Sequence, residues 1–255
     1  MDLGLAGRTA VVTGASKGIG LAITRALAAE GVTVVAGALH GSEELSAVAG
    51  ARPVAVDLTT PTGPAELVAA AGDAVDILVN NVGAVRARLD GFVALSDEEW
   101  EWSLTINFLA AVRTMRAAIP RMTGRPGANI VTVSSVNAFL PDPGVLDYSA
   151  AKGALSNVCK SLSKELGPGI RVNTVSPGPV RTDLWLGSSG VAATVGGASG
   201  SDPADVVRRQ EAAAPSGRFT RPEEVADLVV YLASDRAANI TGSDVTIDGG
   251  LITTL

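Results

Sequence analysis

Three side chains in the middle of the sequence have types and a spacing suited to proton transfer: Ser135, Tyr148 and Lys152. In a helix, Tyr148 and Lys152 stand one turn apart on the same face, so the phenol and the ammonium can meet at one site. A free phenol titrates at ~10, and a neighbouring positive charge lowers its pKa toward the range where a general acid or base works best. The hydroxyl of Ser135 can polarise a carbonyl oxygen while Tyr148 donates or accepts the proton. Such a group suits the interconversion of a carbonyl and an alcohol, which also needs a source of hydride.

A glycine-rich turn near the start of the sequence predicts a site for a hydride-carrying cofactor. A buried strand predicted at residues 9–13 is followed at once by Gly14, Gly18 and Gly20. Glycines there let the backbone approach a pyrophosphate, and the N-terminus of the next helix attracts that anion. Taken alone, the motif can also be explained as glycines that merely permit a tight strand-to-helix turn. With a strand before it and a helix after it, cofactor binding is favoured.

The rest of the sequence alternates between predicted strands and helices, which indicates a parallel sheet covered on both faces. Apolar runs predict strands at residues 9–13, 32–36, 54–56, 76–80, 129–134, 169–175 and 244–247. Helical spacing of apolar residues predicts helices at 19–30, 64–71, 97–122, 148–166 and 223–233. We therefore expect one doubly wound α/β domain over residues 1–255, a Rossmann fold with a parallel seven-stranded sheet.

Residues 187–201 break this alternation, because they are almost entirely Gly, Ser, Ala and Val. Such a composition predicts a mobile loop, with a helix after it at 203–213. The segment follows the sixth strand, on the side where parallel strands hold ligands. We expect residues 183–215 to form a lid, hinged in the glycine run, that closes over substrate. The alternative is a solvated surface loop, because the entropic cost of closing a loop grows only slowly with its length.

Composition and charge exclude several classes of protein. Apolar residues make up 47% of the chain, and 20 basic against 26 acidic residues give a net charge of −6, which argues against nucleic-acid binding. Cys159 is the single cysteine, so an intrachain disulfide is excluded; His40 is the single histidine, so a His-rich zinc site is excluded. The sequence shows no signal peptide and no apolar run of about eighteen residues. We expect a cytoplasmic protein without a membrane span or a bound metal.

Several asparagines stand where they can contribute to a site. Asn80 and Asn81, followed by Val82 and Gly83, end the fourth predicted strand, where short amides can fix a turn and line a cofactor cleft. A purely structural turn is an equally good interpretation of that motif alone. Asn107 lies inside an apolar helix, where asparagine is a poor helix former. Either it bonds to its own backbone, or it holds a water or a carbonyl near the site, which is the favoured interpretation.

In this order and spacing, the motifs resemble those of the short-chain dehydrogenase/reductase family, in particular its 3-oxoacyl-ACP-reductase-like members. The resemblance extends over residues 5–255. The matching residues are Thr13, Gly14, Gly18, Ile19, Gly20, Asp57, Asn80, Asn81, Val82, Gly83, Asn107, Ser135, Tyr148, Lys152, Pro177 and Gly178. One departure is Val82, where the family usually has alanine, a change small enough to leave the site intact.

The resemblance implies roles for these residues. Tyr148 is expected to be the acid/base, Ser135 to hold the substrate oxygen, and Lys152 to bind the nicotinamide ribose and lower the tyrosine pKa. Asn107 is expected to hold a proton-relay water. Asp57 is expected to face the adenine, Asn80 the adenosine ribose, and Val180 and Thr182 the carboxamide. The full set of implied cofactor contacts is Gly14, Ser16, Lys17, Gly18, Ile19, Gly20, Leu39, His40, Asp57, Leu58, Asn80, Asn81, Val82, Gly83, Tyr148, Lys152, Pro177, Gly178, Val180 and Thr182.

The end of the second predicted strand favours NADP over NAD. In such folds an acid at this point binds the ribose 2′-hydroxyl and repels a 2′-phosphate. Here the strand ends in Ala38, Leu39 and His40, with no acid. Lys17 in the glycine turn can meet a phosphate, and His40 can help. The arginine that is expected near position 39 is absent, so NAD stays open as the alternative.

The sequence identifies the substrate only as a small-molecule carbonyl or alcohol. Expected pocket residues are apolar, which disfavours a highly charged substrate: Val85, Phe139, Leu140, Leu146, Leu184 and Trp185. Arg86 and Arg88 can bind an acidic group, although solvated loop positions are the favoured interpretation. The resemblance also implies a homotetramer, with the helices that begin near Asp97 and Tyr148 and the residues 251–255 at subunit interfaces.

Three other functions remain open on the sequence. One is a non-catalytic protein that binds a dinucleotide and reports redox state to a partner, and such a protein is expected to lose the tyrosine or the lysine. The second is an NAD-dependent alcohol dehydrogenase of the same family. The third is an epimerase or dehydratase on the same fold, which stoichiometric oxidation of the cofactor would separate from a reductase.

Overall fold

Apolar segments, most of them buried on both faces, form a parallel sheet at the centre of the molecule. The computed structural model describes residues 2–254, and in this part of the chain the sheet has seven strands. They are β1 (Thr9–Thr13), β2 (Thr33–Ala38), β3 (Ala51–Ala55), β4 (Ile77–Asn80), β5 (Asn129–Val133), β6 (Arg171–Pro177) and β7 (Asp244–Ile247). Their spatial order is β3-β2-β1-β4-β5-β6-β7, with every neighbouring pair parallel. The order reverses between β1 and β4, where doubly wound folds bind ligands.

The helices of residues 2–254 cover both faces of this sheet. They are α1 (Gly18–Ala29), α2 (Glu43–Ser46), α3 (Gly63–Ala69), α4 (Asp97–Leu104), α5 (Ala110–Met122), α6 (Leu146–Glu165), α7 (Asp183–Leu186), α8 (Val191–Ser199), α9 (Pro203–Ala213) and α10 (Pro222–Ala233). On one face, α1 and α10 bury Ile23 and Val229 against the strands. On the other, α3, α5 and α6 bury Leu67, Met115 and Leu155. The expected doubly wound α/β fold is therefore confirmed.

The predicted elements overlap the observed ones, with two corrections inside the helices. The first concerns the long helix predicted at 97–122, because a π-helical segment, Thr105–Leu109, separates α4 from α5. The N–H of Ala110 bonds to the carbonyl of Thr105, five residues back instead of four. Asn107 lies in the middle of this wide turn. Such single π turns inside α-helices often mark functional sites.

The second correction concerns residues 187–201, where the prediction of a mobile loop is wrong. The segment contains α8 and packs closely on α7. A Cβ atom on Gly187 would lie 2.6 Å from the carbonyl oxygen of Asp183, and one on Gly190 would lie 2.8 Å from the carbonyl oxygens of Asp183 and Trp185. These glycines therefore permit close packing between backbones, which composition alone does not distinguish from flexibility. The predicted helix at 203–213 is present as α9.

Helices in the described part of the chain are too short or too polar to cross a bilayer. Residues 2–254 also contain no group of three or more His, Cys, Asp or Glu side chains placed to bind a metal ion. The site described next is therefore built from proton-transfer groups, hydroxyls, amides and apolar side chains.

Candidate active site

The turn between β1 and α1 has the shape of a cradle for a phosphate group. Gly14 and Gly18 have positive φ angles of 67° and 54°, which favour glycine. A Cβ atom on Gly20 would lie 2.0 Å from the carbonyl oxygen of Gly14, so only glycine fits there. At the N-terminus of α1, Lys17 is the N-cap residue and makes no side-chain cap. The first N–H groups of the helix are thus free to bind an anion.

Asn81 fastens the turn after β4 to the glycine turn. Its amide nitrogen donates to the carbonyl oxygens of Thr13 (3.0 Å) and Gly14 (3.2 Å). In return, the hydroxyl of Thr13 accepts the main-chain N–H groups of Asn81 (2.9 Å) and Val82 (3.0 Å). Asn80 does not face the cleft: it is buried, its amide approaches the hydroxyl of Thr132 at 3.5 Å, and its Oδ1 has no partner among the described residues. The side chain that lines the cavity is therefore that of Asn81.

Asn107 braces the same turn from the π-helical segment. Its Oδ1 accepts the N–H of Ala84 (2.9 Å), and its Nδ2 donates to the carbonyl oxygens of Ala84 (2.8 Å) and Ser103 (3.1 Å). The two open interpretations of this residue are thus both partly right, since it bonds to its own helix and to a carbonyl near the site. A single lone pair of Oδ1 is left for the predicted relay water. Gly83 fits closely here, because a Cβ atom on it would lie 3.0 Å from Oδ1 of Asn107.

Ser135, Tyr148 and Lys152 converge on one cavity of about 620 Å³ at the carboxyl edge of the sheet. Ser135 directly follows β5 and Tyr148 lies in the first turn of α6. The Nζ atom of Lys152 lies 5.7 Å from the centre of the Tyr148 ring. The hydroxyl of Ser135 donates to Oδ1 of Asn137 and accepts the N–H of Asn137, both at 3.2 Å. Asn137, which the sequence did not single out, therefore fixes the orientation of this hydroxyl.

Burial dominates the electrostatics of the site. It raises the pKa of the Tyr148 phenol, and contact with the hydroxyl of Ser135 acts in the opposite direction. The lowering of this pKa that was expected from Lys152 is therefore not seen. Burial also lowers the pKa of Lys152 to about 8, an effect opposed by the charge interaction with Cys159. The thiol of Cys159, buried and 3.4 Å from the hydroxyl of Thr132, has its pKa raised to about 11.

The far end of the cleft carries the groups expected to contact the adenosine. Leu39 and His40 follow β2 and are exposed, and Lys17 is exposed on the glycine turn after β1. The exposed carboxylate of Asp57 accepts the hydroxyl (2.7 Å) and the N–H (2.9 Å) of Thr59, which lower its pKa. The side chain of Leu58 is buried in the core, so the contact predicted for this residue would have to come from its main chain.

Most predicted contacts near the nicotinamide line the cavity. They are Ile19, Asn81, Gly83, Tyr148, Lys152, Pro177, Gly178, Val180 and Thr182. Val82 instead packs against the core beside this turn. Among the expected substrate contacts, Val85, Leu140, Leu184 and Trp185 line the cavity, whereas Phe139 and Leu146 do not. The sequence missed other lining residues, which come from turns and helices that carry no motif: Asn137, Asp142, Val145, Val191 and Gln210.

The structure also locates three further residues that the sequence singled out, and it corrects the expectation for one of them, Arg88. Leu251, which follows the turn at Gly249 and Gly250, lines the cavity of its own chain. The expected place of residues 251–255 at a subunit interface stays a prediction, and Leu255 lies outside the described residues. Arg86 stacks on the ring of Trp102 at 3.8 Å and is exposed in a loop, in agreement with the favoured interpretation of a solvated position. Arg88 is buried in an ion pair with Asp147, so it is neither a solvated residue nor an available ligand for an acidic substrate.

Comparisons with known proteins agree with this geometry. A family model described as Enoyl-(Acyl carrier protein) reductase matches residues 14–252. The 3-oxoacyl-[acyl-carrier-protein] reductase FabG of Escherichia coli (strain K12) is 35% identical over 96% of this chain and 97% of its own length. The oxidoreductase UcpA of the same strain is 35% identical over 96% of this chain and 95% of its own.

Among solved structures, L-sorbose reductase from Gluconobacter frateurii, complexed with NADPH and L-sorbose, matches with a TM-score of 0.90. Its sequence is 34% identical, and the match covers 100% of both chains. The family model extends over every residue of the cavity, and each of these relatives is matched over nearly the whole chain. This protein therefore belongs to the short-chain dehydrogenase/reductase family of oxidoreductase enzymes.

Proposed function

We propose that the protein reduces a small neutral ketone or aldehyde to the alcohol at the expense of NADPH, with Tyr148 as the general acid. The observation that carries this proposal is the convergence of Ser135, Tyr148 and Lys152 on one cavity that the glycine turn also borders. A non-catalytic dinucleotide sensor would have no need for a buried lysine beside a partly buried tyrosine. Burial of charge is unfavourable, and it is typically kept where it serves a site.

The residues present fit a dinucleotide cofactor. The glycine turn is packed so closely that a Cβ atom on Gly20 would collide with the carbonyl oxygen of Gly14, and the N-terminus of α1 has no side-chain cap. When bound, NADPH supplies the hydride. The nicotinamide end would contact Ile19, Val180 and Thr182, which line the cavity. Lys152 lines the same cavity and would hold a ribose hydroxyl. The NADPH complex of the L-sorbose reductase supports NADP over NAD, as does the absence of an acid at Ala38.

Tyr148 is suited to the reductive direction. Since burial raises its pKa, the phenol holds its proton at neutral pH and can donate it to an alkoxide that forms on the substrate. Ser135 binds the carbonyl oxygen by turning its O–H away from Oδ1 of Asn137, while the N–H of Asn137 continues to hold the serine oxygen. The charge of Lys152 stabilises the phenolate that remains after transfer. Proton return then proceeds from solvent through the polar turn that Asn107 braces.

The lining of the cavity favours a neutral substrate with an apolar body. Val85, Leu140 and Trp185 contribute apolar walls, and Gln210 adds an amide. Apart from Lys152 and Tyr148 at the reacting end, the titratable side chain in this lining is Asp142, which repels carboxylates and phosphates. The named relatives act on an acyl-carrier-protein thioester and on a sugar, so the panel of substrates must include both classes. By resemblance to the family, the active form is a homotetramer.

The proposal is tested by following NADPH absorbance with a panel of simple ketones, L-sorbose and a 3-oxoacyl thioester. Tyr148→Phe keeps the ring and deletes only the proton-bearing oxygen. We expect it to lower kcat by ~10² to 10⁴, while the Kd for NADPH stays close to that of the native protein. Oxidation of NADPH in equal amount to alcohol formed separates reduction from epimerisation or dehydration. A Tyr148→Phe protein that keeps half of its turnover would show that this residue is not the acid.

A further inference from the structure

A cluster of three charged side chains lies directly behind the candidate acid, outside the cavity. The guanidinium of Arg88 donates to Oδ2 of Asp147 through Nη2 (2.6 Å) and Nε (3.1 Å), and to Oε1 of Glu99 through Nη1 (2.5 Å). The side chains of Arg88 and Asp147 are only 6% and 1% exposed, whereas that of Glu99 is 37% exposed. Asp147 is the residue that immediately precedes Tyr148.

The cluster joins three separate segments of the chain. Arg88 belongs to the stretch after β4 that also carries the cavity residue Val85. Its main-chain N–H donates to the carbonyl of Gly144 (2.7 Å), in the turn that leads into α6. Glu99 lies in the first turn of α4, where its other oxygen accepts the N–H of Ser96 (3.0 Å) in a capping box. The start of α6 is thus tied to the substrate wall and to α4 at once.

Stability alone is a weak explanation of such a pair. A buried ion pair is often no more stabilising than apolar residues of the same volume, because both charges lose their hydration. Here the desolvation is incompletely compensated: Oδ1 of Asp147 is buried and has no hydrogen-bond partner within residues 2–254. What the pair does provide is direction, because Nε and Nη2 of one rigid, planar guanidinium both donate to the single oxygen Oδ2 of Asp147.

We propose that Arg88 is a positioning residue, which acts through Asp147 to set the location of the Tyr148 hydroxyl relative to Ser135 and the substrate carbonyl. This inference rests on the proposed function of Tyr148. Proton transfer requires heavy atoms within hydrogen-bond reach, and a displacement of about 1 Å can lower the rate by ~10²-fold. The bonds of Arg88 constrain the first turn of α6, whereas the bond of Lys152 to Val133 constrains the second.

The experiment removes the charge pair without leaving an unpaired charge in the core. In the double variant Arg88→Met/Asp147→Leu, both side chains become apolar, so the fold should be retained and the melting temperature should stay near that of the native protein. We expect kcat to fall by about 10- to 100-fold, with the Kd for NADPH changed by less than about twofold. Arg88→Lys, which keeps the charge and loses the planar fork, should give a smaller fall in kcat.

Two controls make the result decisive. Arg8 forms an ion pair with Asp235 at 2.6 Å and lies next to the amino end of β1, whereas the cavity lies at the carboxyl edge of the sheet. Arg8→Met removes this ion pair and should lower the melting temperature without lowering kcat. Hydrogen exchange gives a readout that needs no activity. The double variant should lose protection at the main-chain N–H groups of residues 150–152, which bond back to the first turn of α6, and keep it in the last turn. Native kcat together with native protection in the double variant would overturn the inference. If instead Tyr148→Phe retains turnover, the proposed function fails, and the exchange result still decides whether Arg88 positions α6.

Discussion

Lys152 lies on α6, yet its Nζ atom donates a hydrogen bond to the main-chain carbonyl of Val133 at the end of β5, at 2.9 Å. The ammonium is thus held between the helix that carries Tyr148 and the strand that leads to Ser135. Only 3% of the residue is exposed, and burial lowers its pKa from 10.5 to about 8. The cavity therefore contains a lysine that is expensive to keep charged at neutral pH.

This burial predicts a pH-dependent stability difference between the native protein and Lys152→Met. The pKa is about 8 in the folded protein and 10.5 in the unfolded chain, so the unfolded chain binds more protons between these values and stability rises with pH across that window. At about pH 7, Lys152→Met should be more stable by on the order of 3 kcal/mol, and the difference should shrink as the pH rises toward 10.5. Urea unfolding at several pH values measures it. Lys160→Met, on the exposed side of α6, controls for the loss of a lysine, and a difference that does not change with pH would contradict the prediction.

The glycine turn should tolerate no side chain at its third glycine. In Gly20→Ala the Cβ atom would lie 2.0 Å from a backbone carbonyl, so the turn must open. We expect a loss of stability of about 1–3 kcal/mol and a clear rise in the Kd for NADPH. Gly197→Ala is the matched control: this glycine is exposed in α8 and has nothing within 4 Å, so the change should be neutral or stabilising by about 0.5–1 kcal/mol. Native NADPH affinity in Gly20→Ala would place the cofactor elsewhere.

An acid at the end of β2 should reverse the choice of cofactor. Ala38→Asp adds a partner for the ribose 2′-hydroxyl and a charge that repels a 2′-phosphate, so kcat/KM should change to favour NADH. Ala47→Asp adds the same charge on the exposed end of α2 and should leave the preference unchanged. Lys17→Met should lower the affinity for NADPH by about tenfold and affect NADH little. Better use of NADH than of NADPH by the native protein would remove the assignment of Lys17 and His40 to the phosphate.

The helices α7, α8 and α9 lie where the lid was expected, and their closure remains a prediction. Because α7 and α8 pack tightly, any movement should carry them as one unit and not bend within the glycine run. Trp185 lines the cavity and packs edge-to-face on Phe219 with 5.2 Å between ring centres. Trp185→Ala should therefore raise KM for bulky ketones more than for small ones.

Leu186 offers the matched control for this variant, because it is 43% exposed and does not line the cavity. Leu186→Ala should leave the ratio of the two KM values unchanged. Hydrogen exchange across residues 183–215 should slow when NADPH and substrate are added together. Equal exchange with and without ligands, combined with equal KM ratios in both variants, would argue for a fixed wall in place of a lid.

The sequence was most informative where the chemistry depends on local spacing. Gly14, Gly20, Tyr148 and Lys152 could be placed in advance, because a strand, a turn and a helix determine their relative positions. Asn80 and Asn81 show the limit: one residue of register decides which amide enters the cleft, and either was acceptable on pattern alone. The π turn at Asn107 was missed for a similar reason, since one additional residue in a turn hardly changes an apolar period.

Long-range contacts account for the remaining differences. Arg88 looked like a solvated loop residue because its partners, Glu99 and Asp147, are 11 and 59 residues away in the chain. Gly187 and Gly190 looked flexible because their packing partners are backbone atoms, which have no residue type to reveal them. In both cases the deciding interaction lies in the tertiary structure, beyond the reach of periodicity or composition.

Cys159 makes the core behind the candidate site directly measurable. It is the single thiol in the sequence, and burial beside Thr132 raises its pKa to about 11, so the native protein presents almost no thiolate to an alkylating reagent. Any labelling must wait until α6 separates from the sheet. The rate of alkylation under native conditions therefore reports how often this helix opens. The same helix carries both Tyr148 and Lys152, and the measurement needs no change in sequence.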